Sequence, residues 1–492
     1  MQKQERIRHL LRRFGLGAAP KEVRYYEQFD LDEVIDRIIN FEAVEDPYPV
    51  DPWEFSTNDK DSKISTSTQN FADWWTLKMC ITTRPLQEKL ALFWHDHFAV
   101  SEDKVQDGQK MLPYLQILRN NAAGNFATMF REVSKTPAMV VWLDTYRDVK
   151  GTANENFARE VMELFTLGVD NGYTENDIRE AARAFTGWTL RSTLNYGNRN
   201  KDPILDQQRR NVEAGKDMFE FFFNARVHDT DRKTIFGKTG DFDGDGVLQL
   251  LLDHPSTPRL ICGKLWAWFA YDDPEDEVVE RLAKIFLKND YEIKPVLREI
   301  ASSAEFYSPK AVMTKVKSPV DFTVGLMRQF DSRAVMEKRR PGPLDPLTPI
   351  HPAIRNFARS VYRQINRQGL PLLHPPSVEG WHWGTEWISS ETMLYRIDLA
   401  RQFFSNKGLV GPLIERSRPE IVAEIGRLSD MKVIDRLLSL LDVEMDGSQR
   451  MVLGQYARQI SLNNSLYNDA RAPGVLWPVL KLVFAMPEAQ MC

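Results

Sequence analysis

Five consecutive residues, Trp94, His95, Asp96, His97 and Phe98, carry the sharpest chemical signal in this chain. Neutral imidazoles are common ligands for zinc, iron, nickel and copper, and Asp96 could add a carboxylate oxygen. Spacing constrains that reading. On a helix of 3.6 residues per turn, side chains two apart diverge by about 200°, so His95 and His97 share one ion only if the helix ends between them. Ser101, Glu102 and Asp103 follow closely and suit such an ending. In the competing reading Trp94 and His97 pack beside Leu90, while His95 hydrogen-bonds a carboxylate such as Glu88.

A second group lies in residues 154–168. On a helical wheel Phe157, Val161, Leu164 and Gly168 share one side, and Asn156, Arg159, Glu160 and Glu163 share the other. Glu160 and Glu163, three apart on one face, resemble the carboxylates that approach a metal inside a helical bundle. The expected ligand set is therefore His95, His97, Glu160 and Glu163 around one divalent transition metal, with Asn156 orienting them. Against this, Arg159 and Glu163 are spaced for an ordinary i,i+4 surface ion pair.

His228 and Asp229 form a third candidate, either an acid/base pair or a loop-delivered ligand. The alternative is a turn built on Asp229, Thr230 and Asp231, with Lys233 in solvent. His9 and Arg13 stand one helical turn apart near the N-terminus. One cleft is expected to gather His9, Arg13, His95, His97, Asn156, Glu160 and His228. In it His95, Glu160, His228 and Asp229 would be catalytic, and Arg13, Asn156 and Arg159 would contact substrate.

The elements that must position these residues are mostly helices. Apolar residues recur at helical spacing in residues 7–14, 31–41, 71–149, 154–168 and 247–306, and Thr174 with Asp177 marks a capping box before residues 178–187. The helical period fails between residues 189 and 238, where 219–223 and 234–236 look like short strands. Residues 42–68 are expected as a surface loop, residues 341–349 as an extended Pro-rich linker, and residues 370–387 as a loop between later helices. The expected fold is mainly α, with bundle-like subdomains at residues 1–188, 189–340 and 341–492.

Two further motifs are ambiguous. Asp241, Asp243 and Asp245 with Gly246 open like a calcium loop, but Leu252 stands where the bidentate glutamate belongs, so a helix cap is the expectation. Trp381, Trp383 and Trp387 around His382 could form a sugar- or peptide-binding wall or part of the core.

Bulk properties exclude several classes. The 492 residues carry 64 Lys and Arg against 69 Asp and Glu, a net charge of -5 with no broad basic footprint, so no nucleic-acid partner is expected. Three scattered cysteines make no disulfide framework. No apolar run reaches the roughly 18–20 residues of a membrane span, and the charged N-terminal segment reads as a cytoplasmic chain. Nucleotide-binding glycine loops, the Gly-x-Ser-x-Gly elbow and His-Glu-x-x-His are absent from the sequence.

Taken in order, the blocks make a recognisable set. They are His9 to Arg13 with Gly17, Trp94 to Phe98, Asn154 to Gly168, Gly172 to Thr174 and Ala184 to Trp188. His228 and Asp229 with Lys233 and Gly237 follow, and then Pro375 to Trp381 with Trp387. This series resembles the bacterial family of domains of unknown function numbered 1800, over nearly the whole chain. The resemblance implies no assigned activity. It also implies export for many members, often by twin-arginine signals, a pattern not seen in this sequence.

Two functional readings follow. One is a metal- or acid/base-dependent enzyme, by default a hydrolase, because an activated water needs the fewest parts. The other is a non-catalytic helical scaffold, or a protein that binds a protein partner, in which the same polar residues form a buried network.

Overall fold

In the computed structural model the described residues are 1–57, 64–198, 203–333, 336, 339, 346–404, 430–463, 479 and 481–492. Helices dominate them, and strand is confined to two small antiparallel pairs. β1 (Trp188–Ser192) pairs with β2 (Phe219–Phe223), and β3 (Lys233–Ile235) with β4 (Lys238–Gly240). The mainly α expectation holds, with the strands almost wholly inside the expected excursion. That excursion also contains a helix, Ile204–Glu213, that the sequence reading missed. Its apolar residues Ile204, Leu205 and Val212 pack with Ile64, Leu194 and Met218 in a satellite cluster, and ten residues offer too few turns for the period to stand out.

One buried cluster runs from Ile7 to Ala489. At its centre is Thr68–Ile81, a helix buried on almost every side, including its polar Asp73 and Thr76. It touches the helices Gly108–Asn120, Pro319–Gln329 and Pro352–Arg367. Such a helix shows little amphipathicity because neighbours cover all its faces. Asp73 is accommodated there by Arg359, whose Nε donates to it at 2.9 Å.

Pro85–His97 is the helix that carries the histidine block. Pro85 occupies its first turn, where the missing N–H costs nothing, and the Trp94 indole donates to Ala122 O at 2.8 Å to tie its C-terminal turn to the loop after the Gly108–Asn120 helix. Glu155–Glu163 begins on Asn154, whose side chain accepts from Asn156 N, and Glu175–Phe185 begins on the expected Thr174–Asp177 capping box. Within residues 42–68 the chain forms a short helix, Trp53–Ser56, that buries Phe55; residues 58–63 lie outside the described residues. Of the expected extended segment 341–349, residues 341–345 also fall outside them, and residues 346–348 form a turn and bend. Among the described residues no helix is long and apolar enough to cross a membrane.

The acidic turn at Asp241 resolves as a cap. The Asp243 side chain accepts from Gly246 N at 2.9 Å and begins the helix Gly244–Leu252, while Asp241 is 83% exposed. Asp243→Ala is expected to lower the unfolding free energy by about 1 kcal/mol in urea titration, the usual worth of an N-cap. Asp241→Ala should change it by less than about 0.5 kcal/mol. Equal effects would mean that Asp243 is not acting as the cap.

Candidate acid–base site

The Pro85–His97 helix continues through both histidines, so they point apart as its geometry demands. Each is held by the protein itself. The Tyr114 hydroxyl donates to Phe98 O at 2.9 Å, so it accepts from His95 Nδ1 at 2.8 Å, while Leu373 N donates to His95 Nε2 at 3.2 Å. His95 is thus a neutral imidazole with one donor and one acceptor, both used. Burial and the charge of His374 push its pKa down to about 3. The carboxylate expected beside it, Glu88, instead accepts from Trp75 and Arg119.

On the other side of the helix, His97 Nε2 donates to Phe165 O at 3.2 Å, and its Nδ1 accepts from the Lys264 ammonium at 3.2 Å. Burial, reinforced by Lys264, holds its pKa well below the usual histidine value. With every ring nitrogen of His95 and His97 occupied, the expected metal set of His95, His97, Glu160 and Glu163 is not assembled. Among the described residues no three His, Cys, Asp or Glu side chains are grouped to hold a metal ion.

Between the two histidines, Asp96 faces a different neighbourhood. Its carboxylate accepts from Trp381 N at 2.8 Å and from the Trp383 indole at 2.9 Å. These donors come from a turn in which Ser377 bridges Gly380, with Gly380 at φ 88°. A glycine is required there, because a Cβ would stand 2.4 Å from Asp96 Oδ1. Trp383 packs edge-on against Trp268 at 4.4 Å between ring centroids, and against Trp387 at 5.7 Å. Of the two readings of this tryptophan group, the core one describes Trp381 and Trp387, which are buried in the main cluster, and Trp383 packs against that cluster on the Asp96 side of the histidine helix.

Trp268 and Lys264 stand one turn apart on the helix Ser256–Phe269. The Lys264 ammonium reaches His97 Nδ1 and, at 3.3 Å, Leu164 O, at the C-terminal end of the Glu155–Glu163 helix. A cation suits the free carbonyls of a helix C-terminus. Among the described residues no carboxylate is in ion-pair contact with Lys264. Burial lowers its pKa, and the nearby negative charge of Asp96 opposes that.

Glu160, on the helix that ends at Lys264, is half-buried, and its carboxyl accepts no hydrogen bond from the described residues. Burial, Glu163 and Glu379 raise its pKa to about 6 against the pull of Arg159. Glu379 belongs to the same turn that holds Asp96. Burial likewise raises Asp96 to about 6, although Trp381, Trp383, Lys264 and His382 all favour its anion. Asp96 and Glu160 are thus two carboxyls raised toward neutral pH, and Lys264 lies in the field of Asp96 with no carboxylate among the described residues in ion-pair contact with it; perturbed groups of this kind mark candidate proton-transfer sites.

The remaining candidates stay at their own elements. Arg159 forms the expected pair with Glu163 at 3.2 Å and also binds Glu155 and Glu175. Asn156 is exposed at the start of its helix. His9 Nε2 donates to Phe306 O at 2.9 Å, and Arg13 donates to Ala311 O. His228 Nδ1 donates to Thr186 O at 2.8 Å. Asp229 is held down to about 2 by Arg183, which donates to it at 2.8 Å, with Lys150 at 3.8 Å. The expected single cleft is thus divided: His95 packs on Trp381 at 5.0 Å between ring centroids and His97 meets Lys264, both beside Asp96, while Glu160 is linked to that turn through the charge of Glu379. The sequence marks Asp96 only as an added ligand and places Lys264 in no motif. The one sequence signal for Lys264 is a lysine on the apolar stripe Leu260, Lys264, Trp268.

A family model described as "Protein of unknown function (DUF1800)" matches residues 9–491. No curated protein and no solved structure matches the chain.

Proposed function

The chain belongs to the DUF1800 family, and from that premise we propose that it is an acid–base enzyme, by default a hydrolase, whose central group is Asp96. The observation that carries the reading is the Asp96 carboxyl. It is mostly buried, clamped by two N–H donors, and still held at about 6, where it can both give and take a proton near neutral pH. Glu160, also at about 6, supplies the second carboxyl. Lys264 supplies a cation for an oxygen that gains negative charge during reaction. The Trp268–Trp383 pair forms a wall for substrate, and the Trp268 indole N–H is buried without a partner among the described residues.

The test is a panel of p-nitrophenyl esters, phosphates and glycosides assayed with wild type and Asp96→Asn across pH 4–9. Expected are turnover of at least one class with a pH profile breaking near 6, and a loss of about 100-fold in kcat/KM for Asp96→Asn. Stability gives a second readout. Because the folded pKa of Asp96 is raised above its ordinary value of 3.8, its contribution is full below that value and is lost as pH rises through about 6. Asp96→Asn should therefore gain stability relative to wild type between pH 4 and 7. If wild type turns over none of the panel, or if Asp96→Asn keeps full turnover, the enzyme reading falls.

The scaffold alternative is favoured by one observation, the complete satisfaction of His95 by Tyr114 and Leu373. Under it, Asp96→Asn would shift only the melting temperature.

A further inference from the structure

A cavity of about 620 Å³ lies at the other end of the histidine helix, with Leu86 in its wall. At 1.5 Å rise per residue, ten residues place it about 15 Å from Asp96 along that helix. Its volume falls in the range of small-molecule sites. The apolar wall is Leu11, Phe14, Ile38, Phe41, Val44 and Leu86. Most of the charged lining is already neutralised: Lys21 pairs with Asp331, Glu22 with Arg328, Asp36 with Arg298, and Arg37 with Glu33.

Arg333 is the exception. Its Nε donates to Ile81 O at 3.0 Å and its Nη2 to Thr82 O at 3.5 Å, and among the described residues no carboxylate pairs with it. Tyr26 lines the same cavity, and its hydroxyl makes no hydrogen bond to a described residue. A guanidinium that spends its donors only on carbonyls keeps its full charge for a ligand, and its fork matches a carboxylate. An apolar wall with one uncompensated cation is complementary to a molecule with an apolar tail and one anionic head.

We propose that this cavity binds an aliphatic monocarboxylate of medium chain length, its tail against Phe14, Ile38 and Leu86 and its carboxylate on Arg333 and Tyr26. The site is independent of the acid–base reading, since it shares no residue with the Asp96 neighbourhood.

The experiment is calorimetric titration of the full chain with hexanoate, octanoate, decanoate and 1-octanol. Affinity should rise about threefold to fourfold per added methylene. Arg333→Gln should weaken octanoate at least ~10-fold, the scale of a lost charge-assisted hydrogen bond, and leave 1-octanol within about twofold. Ile38→Trp, which enlarges the apolar wall and narrows the cavity, should weaken both at least ~10-fold, and a circular-dichroism spectrum matching wild type establishes that each variant is folded. Affinity independent of chain length, or octanoate binding unchanged in Arg333→Gln, overturns the proposal. So does octanoate binding unchanged in Ile38→Trp.

Discussion

Glu88→Ala is expected to lower the unfolding free energy by roughly 3–5 kcal/mol, the range for removing one partner of a buried ion pair. Glu88 is fully buried on the histidine helix and joins three helices. Arg119, from Gly108–Asn120, donates to both its oxygens at 2.6 and 2.8 Å, and the Trp75 indole, from Thr68–Ile81, donates at 2.8 Å. Truncation strands a nearly buried guanidinium and an indole N–H at once. Burial by itself raises the pKa of Glu88, but Arg119 and Trp75 outweigh it, and the net shift is below the ordinary 4.5. The stabilisation is therefore fully present above pH 4.5 and is lost as pH falls through the lower folded value. Urea unfolding of wild type and Glu88→Ala should show a wide gap at pH 7 that narrows below pH 4.5. A loss under about 1 kcal/mol at pH 7 would place the pair with exposed salt bridges instead.

Gly380→Ala should cost about 2–4 kcal/mol. The residue sits at φ 88°, where a side chain adds about 1 kcal/mol of strain. The new Cβ would also lie 2.4 Å from Asp96 Oδ1 and 2.6 Å from Asp96 O. The main-chain oxygen belongs to the last turn of the histidine helix and cannot swing aside, so the turn must move, at a cost typical of overpacking, about 1–3 kcal/mol. Gly384 provides the control. It has φ 72°, but a Cβ there would meet nothing within 4 Å, so Gly384→Ala should cost only the strain of about 1 kcal/mol. Denaturation followed by tryptophan fluorescence compares the two, and equal losses would show that Asp96 does not crowd the turn. On the enzyme reading, Gly380→Ala also displaces the Trp381 N–H from Asp96 and lowers turnover, whereas Gly384→Ala spares it.

By itself the sequence determined the helical class, the caps and the place of the strands, because these are local. The spacing of Ile178, Ala181, Ala182 and Phe185 needs only a 3.6-residue period, and Thr174 with Asp177 closes a hydrogen-bonded ring three residues wide. The divergence of His95 and His97 was equally local, a consequence of the turn angle alone. Which partners meet each side of that helix was decided only by the tertiary structure. Tyr114 and Leu373 arrive from distant parts of the chain and consume both nitrogens of His95. Trp381 and Trp383, nearly 300 residues beyond Asp96, clamp and desolvate its carboxyl. Lys264 stood out least in the sequence, because a lysine becomes unusual only when burial removes its water and, among the described residues, folding brings no carboxylate into ion-pair contact with it. A helical wheel records which residues share a face, but not what lies against that face, and the proton affinity of Asp96, Glu160 and Lys264 depends on the second.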